Sequence, residues 1–414
     1  MHIQYTLGNN LCFHPDYDGW SERHYNQSGS KILYSIFMED ELLLMLPGPV
    51  PLPERVRAVM ARQAINHRGA EFGNAYADIV RVLKGLFGTK NNPLVISGSG
   101  TAGMEAAVAN FGKGRKMAHL INGKFGERMY TIGQRYASEA RPIESDWGTP
   151  LNLESLKSAL EDGCEVVTMV HNETSAGILN PAGEVGKICR KYDALFIMDG
   201  VTSIGGDQVL ADDWGVDVAV VGSQKCLAAP AGLAAVSVSD RAWDRAVKNP
   251  PYYLDLPAYK KNAAKDPMET PYTPAVPLFL ALREACLIIE EEGVDKRIAR
   301  HHRMAGAVRK AVHAWGIDMF PKTDSLHQYS NTVTAACIPA GSNDKDFRGV
   351  VKKLGIQIAG GQDHLKDKIF RIGHMGAVSA PELLATLAAT EYAVRKTGHQ
   401  VLESGVMAAA EDLG

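Results

Sequence analysis

The stretch VVGSQKCLAAPAGLAAVSVS, residues 220–239, sets a single cation, Lys225, between two apolar runs. From Gln224 to Gly232 there are too few residues for a crossover helix. The runs VDVAVVG and LAAVSVS are therefore expected to be antiparallel neighbours joined at the carboxyl edge of a sheet. Lys225 then sits in a tight connection between two buried strands. Removing an ammonium from water is costly, so a lysine held there shifts toward its neutral, nucleophilic form or becomes a covalent imine. The plain alternative is a loop lysine whose amine snorkels to solvent.

Working outward, residues from about 93 to 240 alternate short apolar runs with helical patterns: NPLVIS then TAGMEAAVANF, KMAHLI then GERMYTIGQRYA, CEVVTMV then AGEVGKICRKY, ALFIMD then VDVAVVG. Repeated strand and helix units of this size imply an α/β architecture, with a mostly parallel sheet covered on both faces. Such sheets bind ligands along the carboxyl ends of their strands. Upstream, PGPVPLP at 47–53 reads as a stiff connector, and PERVRAVMARQAI and YADIVRVLKGLF as amphipathic helices. From about residue 295 a long helix opens a second unit, with the runs NTVTAACIP, FRGVVKKLGIQIAGG and KIFRIGHMG and the helix PELLATLAATEYAVRKTG. The chain divides into an N-terminal arm (1–46), a large domain (47–294) and a smaller C-terminal α/β domain (295–414).

A chain of 414 residues, 45% hydrophobic, is long enough for two such units. With 44 basic against 47 acidic side chains there is no field to attract nucleic acid or an anionic membrane, so a small neutral or anionic metabolite is the expected partner. Cys12, Cys164, Cys189, Cys226, Cys286 and Cys337 lack CxxC or zinc spacing, which fits reduced thiols in the cytoplasm and no metal site. His14 and His24 in the polar arm could ligate a metal, but their spacing favours a solvated or subunit-packing segment. MHIQYTLGNN has no apolar signal core, and LLLML at 42–46 is too short to span a bilayer; a soluble protein is expected.

Asp199 ends the run LFIMD, one crossover before Lys225, so its carboxylate belongs to the same sheet edge. Alone it reads equally well as a cap on the next turn. As a pair, a buried acid can keep a pyridine nitrogen protonated while a buried amine holds the aldehyde of the same ring, the two things pyridoxal phosphate needs. A third element, SGSGTAG at 97–103, places small residues at a helix start, where backbone N–H groups meet an anion. Gly98, Gly100 and Gly103 also satisfy G-x-G-x-x-G, so a dinucleotide site stays open. That rival wants an acid ending the next strand, where KMAHLI runs instead into Asn122 and Gly123, with Glu127 arriving late.

These residues resemble the class V aminotransferases of pyridoxal-phosphate fold type I, in particular the alanine–glyoxylate and serine–pyruvate (or serine–glyoxylate) group. The likeness runs from about Pro47 to the end of the chain through PGP, SGSGT, NGKFGER, HNETSAG, MDGVTS, GSQK, TPYTPAVP and FRIGHMG. The resemblance implies a seven-stranded, mostly parallel sheet between helices, pyridoxal 5'-phosphate as cofactor, and a homodimer with shared active sites. It further implies that Lys225 bonds the cofactor and moves protons, that Asp199 pairs with the ring nitrogen, and that Phe125 and Val201 cover opposite ring faces. Thr174 would meet the ring's 3-oxygen, and Ser99, Gly100, Thr101 and Gln224 the phosphate, with Thr273 reaching over from the second subunit. Arg371, assisted by the backbone at Gly48, would bind the substrate's α-carboxylate, and its place after KIF suggests a strand end. Phe125 stands where members often have tryptophan, Thr174 where serine is frequent, and Thr101 where some relatives have histidine. The implied reaction is ping-pong transfer of an amino group from alanine or serine to glyoxylate or pyruvate. Aspartate or phosphoserine as donor is the nearest alternative, with Arg68 as the extra cation. A cysteine desulfurase-like lyase fits less well, because Gln224 and Phe125 replace its two histidines and Cys337 lies inside an apolar strand. A non-catalytic protein that kept the fold would not need the lysine, aspartate and arginine together.

Overall fold

The computed structural model describes residues 42–413; His14, His24, Cys12 and the first 41 residues of the expected arm lie outside the described residues. The described chain opens with strand β1 (Leu43–Met45). There follow β2 (Leu94–Ser97), β3 (Lys116–Ile121), β4 (Glu139–Glu144), β5 (Val166–Val170), the short hairpin β6 (Asn172–Glu173) and β7 (Ile178–Leu179), β8 (Leu195–Asp199), β9 (Val218–Gly222) and β10 (Leu233–Val238). Seven of them form one sheet in the order β2-β10-β9-β8-β5-β3-β4. β10 runs antiparallel to β9 and β2, as the short Lys225 connection requires, and every other neighbouring pair is parallel.

Helices cover both faces because alternate residues of each strand are claimed by different cores. In β8, Phe196 and Met198 join one hydrophobic cluster while Leu195 and Ile197 join another; in β9, Ala219 and Val221 separate from Val218 and Val220 in the same way. This is why the strands read as continuous apolar runs rather than alternating ones. The helix Glu54–Met60 stops short of the thirteen-residue pattern read from the sequence. Residues 61–64 are exposed, so no buried face holds a further turn in place.

The C-terminal part adds β11 (Gln328–Tyr329), β12 (Val333–Cys337), β13 (Ile356–Gly360) and β14 (Ile369–Gly373), and a four-stranded sheet in the order β1-β13-β14-β12. β1 pairs parallel with β13, Leu43 opposite Ile356, so the LLLML run supplies an edge strand to this sheet. Met45 packs there in a core with Trp315, Phe347, Phe370, Leu383 and Leu387. The covering helix Ala380–Lys396 begins in a reciprocal capping box between Ser379 and Glu382, worth about 1 kcal/mol.

Candidate active site

β2, β3, β5, β8 and β9 all point the same way, so their carboxyl ends share one edge of the sheet. A cleft opens there, about 480 Å³ with its open mouth included. Its walls include Ser99, Gly100 and Thr101 after β2, Phe125 after β3, Thr174 after the β6 strand, Asp199 and Val201 at the end of β8, and Gln224 and Lys225 after β9. These are nine of the sequence-derived positions, drawn from separate strand ends into one cavity.

Lys225 is anchored by its Nζ donating to the carbonyl of Pro47 at 2.5 Å. Burial lowers its pKa from 10.5 to about 8, and the nearby Arg371 and Arg128 charges push in the same direction, against the pull of Asp199. Asp199 is buried too, and burial raises its carboxyl to about 6, although its Oδ1 accepts from the Val201 N–H at 2.8 Å. The acid and the amine thus sit in one low-dielectric space, each disfavoured as an ion, which is the environment that tunes such groups for chemistry.

Gly48 lines the lysine's other side. A Cβ on it would lie 2.5 Å from Lys225 Cδ and 2.7 Å from Nζ, and its φ of +93° disfavours any side chain. Gly48→Ala is therefore expected to displace the lysine at a backbone cost of about 1–3 kcal/mol. In a stopped-flow titration of cofactor-free protein, cofactor capture should slow by about tenfold or more; capture at the wild-type rate would contradict this contact.

At the other end of the cleft the helix Gly100–Phe111 starts at Ser99, whose side chain does not cap it, so first-turn N–H groups remain for an anion. The glycines of SGSGTAG serve packing: a Cβ at Gly100 would meet Val201 at 2.9 Å, and one at Gly103 would meet Val220 at 2.6 Å. Three buried polar atoms on the cleft walls, Thr174 Oγ1, Asn172 Oδ1 and Gln224 Oε1, have no hydrogen-bond partner in the protein. Buried groups of this kind are normally satisfied, so they call for polar partners from a ligand. An amine, an acid, an anion-binding helix start, a flat phenyl face and unpaired acceptors and donors together suit a phosphorylated pyridine aldehyde.

Arg371 lies elsewhere than its sequence context suggested. It sits in the middle of β14, opposite Ala335 and Ala359, because IFRIG continues as one buried strand past the arginine. Only 6% exposed, it donates from Nε and Nη2 to the Gly360 carbonyl and from Nη1 to the Thr174 carbonyl at 2.9 Å. It is thereby tied to the cleft wall at Thr174, although it does not itself line the cavity. Arg68 is occupied by Glu269 and the Thr270 carbonyl and does not line the cleft. Thr273 is exposed and outside the cleft of its own chain.

Arg128, Asn172, Met104, Val170 and Thr202, not among the residues expected from the sequence, also line the cavity. Arg128 stacks its guanidinium 4.8 Å from the Phe125 ring centroid and reaches Thr101 Oγ1 at 3.3 Å. The i, i+3 spacing from Phe125 in NGKFGER placed it on that helix face and was the available signal.

The sheet order and the strand-edge cleft, with a lysine and an aspartate on its walls, are those of fold type I enzymes. The sequence model described as "Aminotransferase class-V" matches residues 54–377, and the chain belongs to that family. It is 46% identical to an uncharacterized aminotransferase of Methanocaldococcus jannaschii over 90% of this chain and 97% of the relative. It is 34% identical to the serine–glyoxylate aminotransferase of Arabidopsis thaliana over 89% of this chain and 94% of the relative. A relative from Anabaena cylindrica, 37% identical over 90% of this chain and 98% of its own, is named a soluble hydrogenase 42 kDa subunit. Among solved structures, the ureidoglycine–glyoxylate aminotransferase of Bacillus subtilis superposes with a TM-score of 0.84 at 31% identity, covering 90% of this chain and 97% of that one. The protein is an enzyme that transfers an amino group to a 2-oxo acid.

Proposed function

We propose that the enzyme uses pyridoxal 5'-phosphate to move the amino group of a small donor, alanine or serine, to glyoxylate or pyruvate in a ping-pong sequence. The observation that carries this reading is the pair of opposite-tendency groups, buried Asp199 and half-buried Lys225, delivered by adjacent parallel strands into one cleft. When bound, pyridoxal phosphate supplies an aldehyde that condenses with amines and a protonated ring that draws electron density from the substrate's Cα. Asp199 holds the proton at the ring nitrogen. Lys225 would hold the aldehyde and would take and return the proton at the substrate's Cα as general base and acid. Phe125 and Val201 would cover the two ring faces, and Thr174 would meet the 3-oxygen. Ser99, Gly100, Thr101 and Gln224 receive the phosphate, and Arg371 with the Gly48 backbone binds the α-carboxylate.

Alanine and serine are favoured by the glyoxylate aminotransferases among the relatives, but one of these, from Paracoccus denitrificans, is named for aspartate. Arg68, the cation an acidic donor would want, is already paired with Glu269 at 2.7 Å, which supports the small donors. The likeness to a cysteine desulfurase, at 15% identity, carries the fold alone. We also assign residues 47–294 to a large cofactor-binding domain and 295–414 to a smaller one. The working form is a homodimer in which Thr273 reaches the phosphate of the second copy. The exposure of Thr273 and the exposed Tyr252 and Tyr253, packed on the half-buried Tyr272 beside it, support that surface. No described helix is long and apolar enough to cross a membrane, and the four described cysteines other than Cys337 are buried free thiols, in keeping with a cytoplasmic enzyme.

The test is a half-reaction screen in which the cofactor's visible band is followed as each amino acid is added alone. Alanine or serine should bleach it; bleaching by aspartate or phosphoserine alone would move the donor, sulfide release from cysteine would indicate a lyase, and no bleaching by any amino acid rejects transamination.

The low lysine pKa gives a second expectation. Below about pH 8 both folded and unfolded chains hold the Lys225 proton, and the buried ammonium is a cost. Between about 8 and 10.5 the unfolded chain binds more protons than the folded one, so cofactor-free stability contributed by Lys225 rises with pH across that window. The rate at which cofactor-free protein captures pyridoxal phosphate should climb through the same lower limit as the free amine appears. It should level off above about pH 8; a rate still climbing up to about pH 10 would show an ordinary, unshifted lysine, and a rate flat from about pH 6 to about pH 10 a different attachment point.

A further inference from the structure

Resting on that reading, we propose that Glu173 is the positioning residue that fixes Phe125 and Arg371 relative to one another across the active site. Glu173 ends β6 and is fully buried, 0% exposed. Its Oε2 accepts from the N–H groups of Phe125 and Gly126, each at 3.0 Å, and its Oε1 accepts from the Ser175 N–H at 3.1 Å and the Ser175 hydroxyl at 2.5 Å. The Ser175 Oγ in turn accepts from the Lys124 N–H at 2.9 Å. The helix Lys124–Tyr136 has no side-chain cap from its own N-cap residue, Gly123. Its first three N–H groups are held instead by a carboxylate and a hydroxyl from a distant turn, which favours negative charge at that end.

The local sequence is shaped around this reach. A Cβ on Gly123 would come within 2.3 Å of Glu173 Cγ and Cδ, so the residue before the helix leaves room for the carboxyl group to enter. On its other side the same turn holds the arginine: the Thr174 carbonyl, one residue on, accepts from Arg371 Nη1 at 2.9 Å. One dipeptide therefore bonds the backbone of Phe125, on the cleft wall, and the guanidinium proposed to bind the substrate carboxylate. All four bonds to Glu173 require it as acceptor, the role of an ionised carboxylate, while burial raises its carboxyl to about 7. Glutamine at this site would turn an N–H₂ toward at least one N–H or O–H donor and loosen the clamp.

A mere helix cap and a positioning residue differ in what they disturb. In cofactor-loaded Glu173→Gln, the KM values for alanine, serine and aspartate should rise together by about 10- to 100-fold with a smaller change in kcat, because a misplaced fork weakens every α-carboxylate alike. The visible circular dichroism of the bound cofactor, recorded before any substrate is added, should weaken as Phe125 loses its fixed place. Lower thermal stability with wild-type KM values and dichroism would overturn the proposal and leave Glu173 a cap. If Glu173→Gln does not fold, Ser175→Ala, which removes only the Lys124 and Glu173 contacts of the hydroxyl, must shift both readouts in the same direction by a smaller factor; wild-type values there overturn it equally. A wild-type protein without cofactor band or turnover rejects the proposed function itself and this inference with it, whereas a working wild type matched by Glu173→Gln rejects the inference alone.

Discussion

Lys225→Ala is expected to lower transaminase turnover by at least about 10³-fold, within the range a positioned acid–base group supplies. It should also abolish the absorbance of the lysine-bound cofactor. Among the described residues no other lysine lines the cleft, and the one that does is deprived of water and held at the Pro47 carbonyl. The vacated space would still offer the Ser99 helix start and Asp199, so cofactor can bind without the covalent link. Retained binding with lost chemistry is the signature; normal turnover with an unaltered spectrum would remove Lys225 from the reaction.

The second large effect is expected at Arg371. Its guanidinium is buried against the Gly360 and Thr174 carbonyls, with Glu173 as the main charge opposing its desolvation. A charge-assisted, two-pronged contact to a carboxylate is worth about 3 kcal/mol or more, so Arg371→Ala should raise KM by about 100-fold for every amino acid that reacts. Loss of one substrate alone would mean that the arginine reads a side chain instead. Arg371→Lys is expected to recover little, since an ammonium cannot reproduce the planar fork that meets Gly360 and Thr174 at once.

The legible parts of this enzyme are those set by local spacing. The seven residues between Gln224 and Gly232 forced the β9–β10 pairing, and the runs LFIMD and VDVAVVG placed Asp199 and Lys225 on one edge without reference to anything distant. Parts set by contacts remote in sequence were not legible. Arg371 reads as a strand end because a cation inside an apolar strand is normally excluded; what admits it is the Gly360 carbonyl on the paired strand together with the Thr174 carbonyl, 197 residues away. β1 was an apolar run without a partner until Ile356–Ile358, over three hundred residues on, supplied one. Glu173 gave no local cue either, since its donors at Phe125 and Gly126 precede it by 48 and 47 residues. The apolar pattern fixes strands and their polarity, whereas burying a charge is decided by whichever backbone groups the tertiary fold brings to it.

The most direct measurement is reduction of the cofactor-loaded enzyme with borohydride, followed by peptide mass mapping. The pyridoxyl mass should appear on the peptide containing Lys225, and Asp199→Ala should leave that attachment in place while shifting the ring's absorbance. Label on a different lysine, or no label at all, contradicts the account.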